Sequence, residues 1–142
     1  MQEEENTGDF RIAQDGTWFH DGDEIKREAL ARLFATRALK VDENGDYWLA
    51  TPYEKYPVEV EDVPFVIVNY EQEGDDVVLK TNMDEQVKVS PSHPLELRNN
   101  IPYIDVRDGL YARLGRSVLY NLIEEYGAEL KSGGKTYKLG EL

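Results

Sequence analysis

One pattern of residues occurs twice in the chain, 89 positions apart, and it restricts the fold more than any other feature. Ile25-x-Arg27-x-Ala29-Leu30-x-x-Leu33-Phe34 is matched by Leu114-x-Arg116-x-Val118-Leu119-x-x-Leu122-Ile123. Apolar residues at this spacing form one stripe on an amphipathic helix. Each stripe follows a short strand pattern and an Asp-Gly turn: Phe10 to Ala13 before Asp15-Gly16, and Tyr103 to Arg107 before Asp108-Gly109. Each also precedes a hairpin pattern, closed by Asn44-Gly45 in the first copy and Gly133-Gly134 in the second. Such dipeptides supply the positive φ angles that tight hairpins require. Two amphipathic helices alone would share such a stripe by chance; matching turns on both sides make it a duplication.

Between the copies run further strand patterns: Val58 to Glu61, Phe65 to Tyr70, Val77 to Lys80 and Gln86 to Val89. Their connections are short, which favours antiparallel pairing. Pro91, Pro94 and Pro102 then predict strands that are short or at sheet edges. The expected fold is α+β, with largely antiparallel sheets, two main helices and a duplicated strand-strand-helix-hairpin unit. Gly127 is placed to end the second helix. The expected divisions are an acidic mobile tail over residues 1–9, an N-terminal half over 10–62 and a C-terminal half over 63–142.

Charge narrows the partners. The 142 residues carry 16 basic and 29 acidic side chains, a net charge of −13. That disfavours nonspecific binding to nucleic acid or to an anionic membrane. The first residues hold no apolar run, and the longest apolar cluster, Val63 to Val68, is too short to span a bilayer. A cytoplasmic address is the expectation. Two islands are basic against this background: residues 25–41 at +4 and residues 98–117 at +2. They are either solvated faces or the two sides of an anion site.

Chemical motifs are sparse. The absence of cysteine removes disulfides, thiol nucleophiles and cysteine-held metals. Neither G-x-G-x-x-G nor a Walker A loop occurs, and no G-x-S-x-G. With only His20 and His93, a histidine zinc site is not expected. Asp42-x-Asn44-x-Asp46 starts like a calcium loop, but Tyr47 stands where glycine is needed and Tyr53 where glutamate is needed. It reads as a hairpin turn. No metal and no cofactor is expected.

Two segments carry the remaining candidates. Thr51, Tyr53 and Lys55 offer a hydroxyl, a stacking face and a cation to an anionic ligand. The plainer alternative is a surface ion pair of Lys55 with Glu54, Glu59 or Glu61. Arg107 and Arg113 flank the second Asp-Gly turn, and the guanidinium fork suits phosphate or carboxylate. Pairing with Asp105, Asp108 or the acidic middle segment is the alternative. His20 closes the run Trp18-Phe19-His20 and reads equally as an ordinary surface histidine.

At these residues the chain resembles the bacterial family called domain of unknown function 1285. The resemblance rests on Asp15-Gly16-Thr17-Trp18-Phe19-His20, Tyr47-Trp48-Leu49-x-Thr51-Pro52-x-Glu54-Lys55, Pro57-Val58-Glu59-Val60-Glu61-Asp62-x-Pro64-Phe65, His93-Pro94-Leu95, and Pro102-Tyr103-Ile104-x-Val106-Arg107-Asp108-Gly109-Leu110-x-Ala112-Arg113-Leu114. It implies a duplicated α+β fold whose second half is superficially similar to pleckstrin-homology domains. It also implies a site between the halves, a nucleotide-like ligand and a signalling role. The function expected first is a non-enzymatic ligand-binding or signalling module holding a small anionic, nucleotide-like ligand between its two halves. Lys55, Arg107 and Arg113 would neutralise it, Trp48 or Tyr53 would stack on it, and His20 and Thr51 would hydrogen-bond to it. The alternatives are an adaptor for a protein partner with no small ligand, and a small enzyme using His20 or His93 as base.

Overall fold

Two-residue turns with positive φ at both positions set the strand registers. Asp21-Gly22, Asn99-Asn100, Asp108-Gly109 and Gly133-Gly134 each have this conformation and each joins directly paired strands. Their twist matches that of the flanking strands, so a short loop fixes the pairing. The computed structural model describes residues 9–140. The expected acidic tail therefore lies outside the described residues except for Asp9, and the chain divides into two units at Pro64/Phe65.

The N-terminal unit contains β1 (Phe10–Ile12), β2 (Trp18–His20), β3 (Asp23–Glu24), α1 (Glu28–Leu33), a π-helical turn (Phe34–Ala38), β4 (Leu39–Val41), β5 (Tyr47–Ala50) and β6 (Lys55–Val60). Two three-stranded meanders form one sheet in the order β3-β2-β1-β6-β5-β4. They meet through β1 and β6, which run parallel with Phe10 opposite Val58. Helix α1 connects the meanders, and its Ala31 and Ala35 of the following turn are buried. Ile12, Trp18, Leu39 and Leu49 complete the core.

The C-terminal unit repeats the sheet plan. β7 (Phe65–Glu73), β8 (Asp76–Thr81) and β9 (Gln86–Lys88) form one meander; β10 (Glu96–Arg98), β11 (Ile101–Arg107) and β12 (Leu110–Leu114) form the other. The order is β9-β8-β7-β12-β11-β10, again with a parallel central pair, β7 with β12. α2 (Arg116–Tyr126) and the separate hairpin β13 (Glu129–Ser132) and β14 (Lys135–Lys138) follow the sheet. Phe65, Ile67, Leu79, Ile104, Leu110, Leu114, Leu122 and Leu130 are almost fully buried. Ser132, also buried, accepts the Val77 N–H at 2.8 Å and donates to the Val89 carbonyl at 2.7 Å, pinning the hairpin to the sheet.

The fold is α+β, with two main helices and mostly antiparallel pairing, and the strand-strand-helix-hairpin order occurs twice. The sheets add a second repetition, in which the helix sits between the meanders in one unit and after them in the other. Three details differ from the sequence reading. Both helices start later than their stripes. Ile25 lies before α1, its N–H bonded to the Trp18 carbonyl at 2.8 Å, and Leu114 ends β12. Strand pairing claims these residues before the helix begins. Second, the two central pairs are parallel, because each joins the outer ends of two meanders. Third, β11 is seven residues long and internal despite Pro102; its pairing with β12 starts only at Tyr103, so the proline interrupts no bond there. Gly127 does cap α2, at φ 86°.

The Tyr70 hydroxyl on β7 donates to Glu125 of α2 at 2.8 Å. Burial, reinforced by the Glu125 bond and charge, pushes its pKa up to about 12 from 10.0. The folded unit thus holds a proton that the unfolded chain releases near 10. The resulting stabilisation is complete below pH 10 and disappears as pH rises through 12. Urea unfolding of the full chain between pH 9 and 12 should show a steeper loss of stability than the same series on Tyr70→Phe.

Candidate functional site

Alternation along the strands sorts the N-terminal sheet into two faces. Phe10 pairs with His20 and with Val58, and Leu49 pairs with Tyr56, so these five share a face. Trp48 and Lys55, one residue away from Leu49 and Tyr56, fall on the other. The first face carries a cavity of about 860 Å³. Its bed is apolar and aromatic: Phe10, Phe34, Leu49, Tyr56 and the half-exposed Leu33. The Phe10 ring stacks on the His20 imidazole at 4.3 Å and 7°, and meets Phe34 edge-on at 5.6 Å and Tyr56 at 5.8 Å.

The wall opposite comes from the π-helical turn. Leu39 donates its N–H to the Phe34 carbonyl five residues back, and the Thr36 hydroxyl donates to the Arg32 carbonyl at 2.7 Å. Hydroxyl back-bonding of this kind bends helices, and π turns concentrate at functional sites. Spacing of four places Leu33 with Arg37 and Phe34 with Ala38, and all four line the cavity. At the mouth, the Thr51 hydroxyl accepts the N–H groups of Tyr53 and Glu54 at 3.2 and 2.9 Å, fixing the loop that carries Pro52.

The charged lining separates into engaged and unengaged groups. Glu54 accepts the Tyr56 hydroxyl at 2.6 Å. Asp21 accepts the Asp9 N–H at 3.0 Å and lies 3.5 Å from His20 Nε2. Arg37, the only lysine or arginine in the lining, makes no side-chain hydrogen bond or ion pair with any described residue. Sequence reasoning did not single it out, although it sits in the basic island of residues 25–41.

The seven residues expected from sequence divide among several places. His20 and Thr51 line the cavity. Tyr53 projects from the mouth loop, 93% exposed. Lys55 Nζ lies 4.1 Å from the centre of the Trp48 ring on the opposite face, and the Trp48 indole N–H donates to Asp42 at 3.0 Å. The same Asp42 carboxylate accepts the Asn44 and Asp46 N–H groups at 2.9 Å, so the calcium-like segment is a hairpin turn. Arg107 and Arg113 belong to the C-terminal unit. Arg107 forms a two-pronged pair with Glu85 at 2.8 and 3.3 Å, and Arg113 lies on β12. His93, the other histidine, has its Nδ1 2.8 Å from the Asp105 carbonyl. Among the described residues no group of three histidine or acidic side chains is placed to hold a metal, and no helix is long and apolar enough to cross a membrane.

The family models divide the chain within one residue of the boundary that the contacts give. "Domain of unknown function (DUF1285), N-terminal domain" matches residues 2–63, and "Protein of unknown function (DUF1285), C-terminal domain" matches residues 64–139. The chain belongs to the DUF1285 family. Among solved structures it is similar to a DUF1285 family protein from Silicibacter pomeroyi DSS-3, with 31% identity and a TM-score of 0.81, over 96% of this chain and 81% of that one. A DUF1285 family protein from Shewanella baltica OS155 is 28% identical with a TM-score of 0.70, over 85% of this chain and 94% of that one. No curated protein matches. The whole cavity, Arg37 included, falls within the segment that the family's N-terminal domain covers.

Bonding to the Trp48 indole, with the Asp46 and Asn44 N–H groups, holds the Asp42 carboxyl below its ordinary value of 3.8. A lowered folded pKa stabilises above that value and the contribution is lost as pH falls through the folded pKa. The Trp48 indole proton resonance should therefore titrate only below pH 3.8. In Asp42→Asn that titration should vanish while the buried Trp18 resonance stays in place.

Proposed function

We infer that the N-terminal unit is a non-enzymatic binding module for a small anionic ligand with a planar, nucleotide-like part, serving a cytoplasmic signalling role. The observation that carries this reading is the Arg37 guanidinium, which pairs with no described residue, beside an aromatic bed. Ligand cavities combine such an apolar lining with a few polar groups that fix orientation. The volume, about 860 Å³, is ample for a nucleotide-sized molecule. The half-buried rings of Phe34 and Tyr56 offer stacking surface, and Arg37 offers the fork that suits phosphate or carboxylate. His20 lines the cavity as a hydrogen-bonding group, whereas the Thr51 hydroxyl there already donates to the Glu54 carbonyl at 3.3 Å. With no phosphate-cradling glycine loop in the sequence, side chains and edge backbone would hold the anion.

Thermal-shift screening of the full chain against nucleotides, cyclic nucleotides and aryl phosphates tests the reading. A ligand at 100 times its Kd adds about 2.7 kcal/mol, or several degrees in a unit of this size. Arg37→Ala should weaken the best binder by about ten- to a hundredfold, the worth of hydrogen bonds to a charged group. The remaining sequence candidates, Trp48, Tyr53, Lys55, Arg107 and Arg113, enter the same assay as alanine variants. Loss of affinity on Lys55→Ala or Arg107→Ala would extend the site beyond the cavity. A flat response across the panel would return the weight to a protein partner.

A further inference from the structure

The cavity of the N-terminal unit is lined by two acids, Asp21 and Glu54, and they differ in what they leave for a ligand. Asp21 is engaged on both oxygens: one accepts the Asp9 N–H at 3.0 Å, and the other lies 3.5 Å from His20 Nε2. Glu54 is engaged on one. Its Oε1 accepts the Tyr56 hydroxyl at 2.6 Å, and its Oε2 has no partner among the described residues.

Local structure fixes where that carboxylate sits. The Thr51 N–H donates to the Glu54 carbonyl at 2.8 Å, so the pairing of β5 with β6 continues into the mouth loop. Alternation then puts Glu54 on the same face as Tyr56 and Val58, which is the cavity face. The Tyr56 ring packs edge-on against Phe10 at 5.8 Å, and its hydroxyl holds the Glu54 carboxylate at the rim of the aromatic bed. Arg37 reaches the same cavity from another element, the π-helical turn. A ligand on this bed meets a cation from one element and a carboxylate from another.

That arrangement sets an orientation. The negative group of the ligand is drawn to Arg37 and repelled by Glu54. The part that covers Glu54 strips water from Oε2, and a carboxylate oxygen left without a donor is costly. That part must therefore bring N–H groups. Two adjacent donors on one edge of a flat ring match a carboxylate, because Oε1 keeps a lone pair while it accepts the Tyr56 hydroxyl.

We propose, resting on the ligand-binding reading of this cavity, that Glu54 selects ligands with a 2-amino-4-oxopyrimidine edge. The ring N–H and amino group of that edge are shared by guanine nucleotides and pterins. Adenine sets an acceptor nitrogen beside its amino group, so one carboxylate oxygen would face a lone pair. Sites built to bond donor groups reject analogues that lack them far more strongly than apolar pockets do. Tyr56 is a positioning residue in this scheme, acting through the carboxylate that it holds.

Calorimetric titration of the full chain with guanosine, inosine and adenosine monophosphates, and with folate, tests it. Guanosine monophosphate should bind about tenfold or more tighter than adenosine monophosphate, the worth of one hydrogen bond to a charged group. Inosine monophosphate, which lacks the amino group, should fall between them. Glu54→Gln should erase this order, whereas Arg37→Ala should weaken all three nucleotides alike. Tyr56→Phe, which keeps the ring, should narrow the preference. Folate binding more tightly than guanosine monophosphate, and losing affinity in Glu54→Gln, would support a pterin ligand; the reverse order would support a guanine nucleotide. Equal affinity for the three nucleotides would overturn the role of Glu54 and leave the anion cavity standing. So would a preference that survives Glu54→Gln in a chain whose buried Trp18 resonance is unmoved. Failure of every ligand to bind would overturn both readings.

Discussion

The parallel pairing of β1 with β6 is the constraint on which the N-terminal unit depends. Each meander alone is three short strands, close to the limit of independent stability. Pairing their outer ends makes a single sheet of six and brings Phe10 beside Val58, with Tyr56 of the same strand and, one strand further, Leu49 on the same face. Without that pair the cavity bed would be split between two hairpin systems. β7 and β12 close the C-terminal sheet in the same way, with Phe65 opposite Ala112 at its most buried point.

A parallel link needs a long connection, and the two units meet that need differently. In the N-terminal unit the connection contains α1 and its π-helical turn, which lie against the sheet and form the cavity wall. In the C-terminal unit β9 passes to β10 through an irregular segment with the Ser90–His93 bridge, and the helix comes afterwards. The position of the helix in an otherwise repeated plan thus separates a unit with a cavity of about 860 Å³ from one with a cavity of about 490 Å³. Duplication supplied the sheet, and the helix placement differentiated the surfaces.

Much of this was legible in the chain because its signals are local. Asp108-Gly109 and Gly133-Gly134 announce hairpins at the positions where they occur, and Gly127 announces the end of α2. The parallel pairs were not legible, since the partners on β1 and β6 lie 48 positions apart and nothing local joins Phe10 to Val58. The lining of the cavity was legible only in part. His20 and Thr51, which line it, were singled out by residue type and motif. Arg37 was not, because its place on the wall depends on the switch from α to π winding at Phe34, which has no simple residue signature. Lys55 attracted attention as an isolated base, and the structure shows a local reason for it: it covers the indole of Trp48.

The central claim is that the aromatic cavity of the N-terminal unit takes a ligand whose negative charge meets Arg37. The most direct measurement follows the Arg37 Nε–Hε resonance of the labelled full chain during titration with adenosine and guanosine monophosphates. The account predicts a saturable shift at Arg37 accompanied by shifts of Phe34 and Thr51. Saturable binding that leaves Arg37, Phe34 and Thr51 unmoved would contradict it.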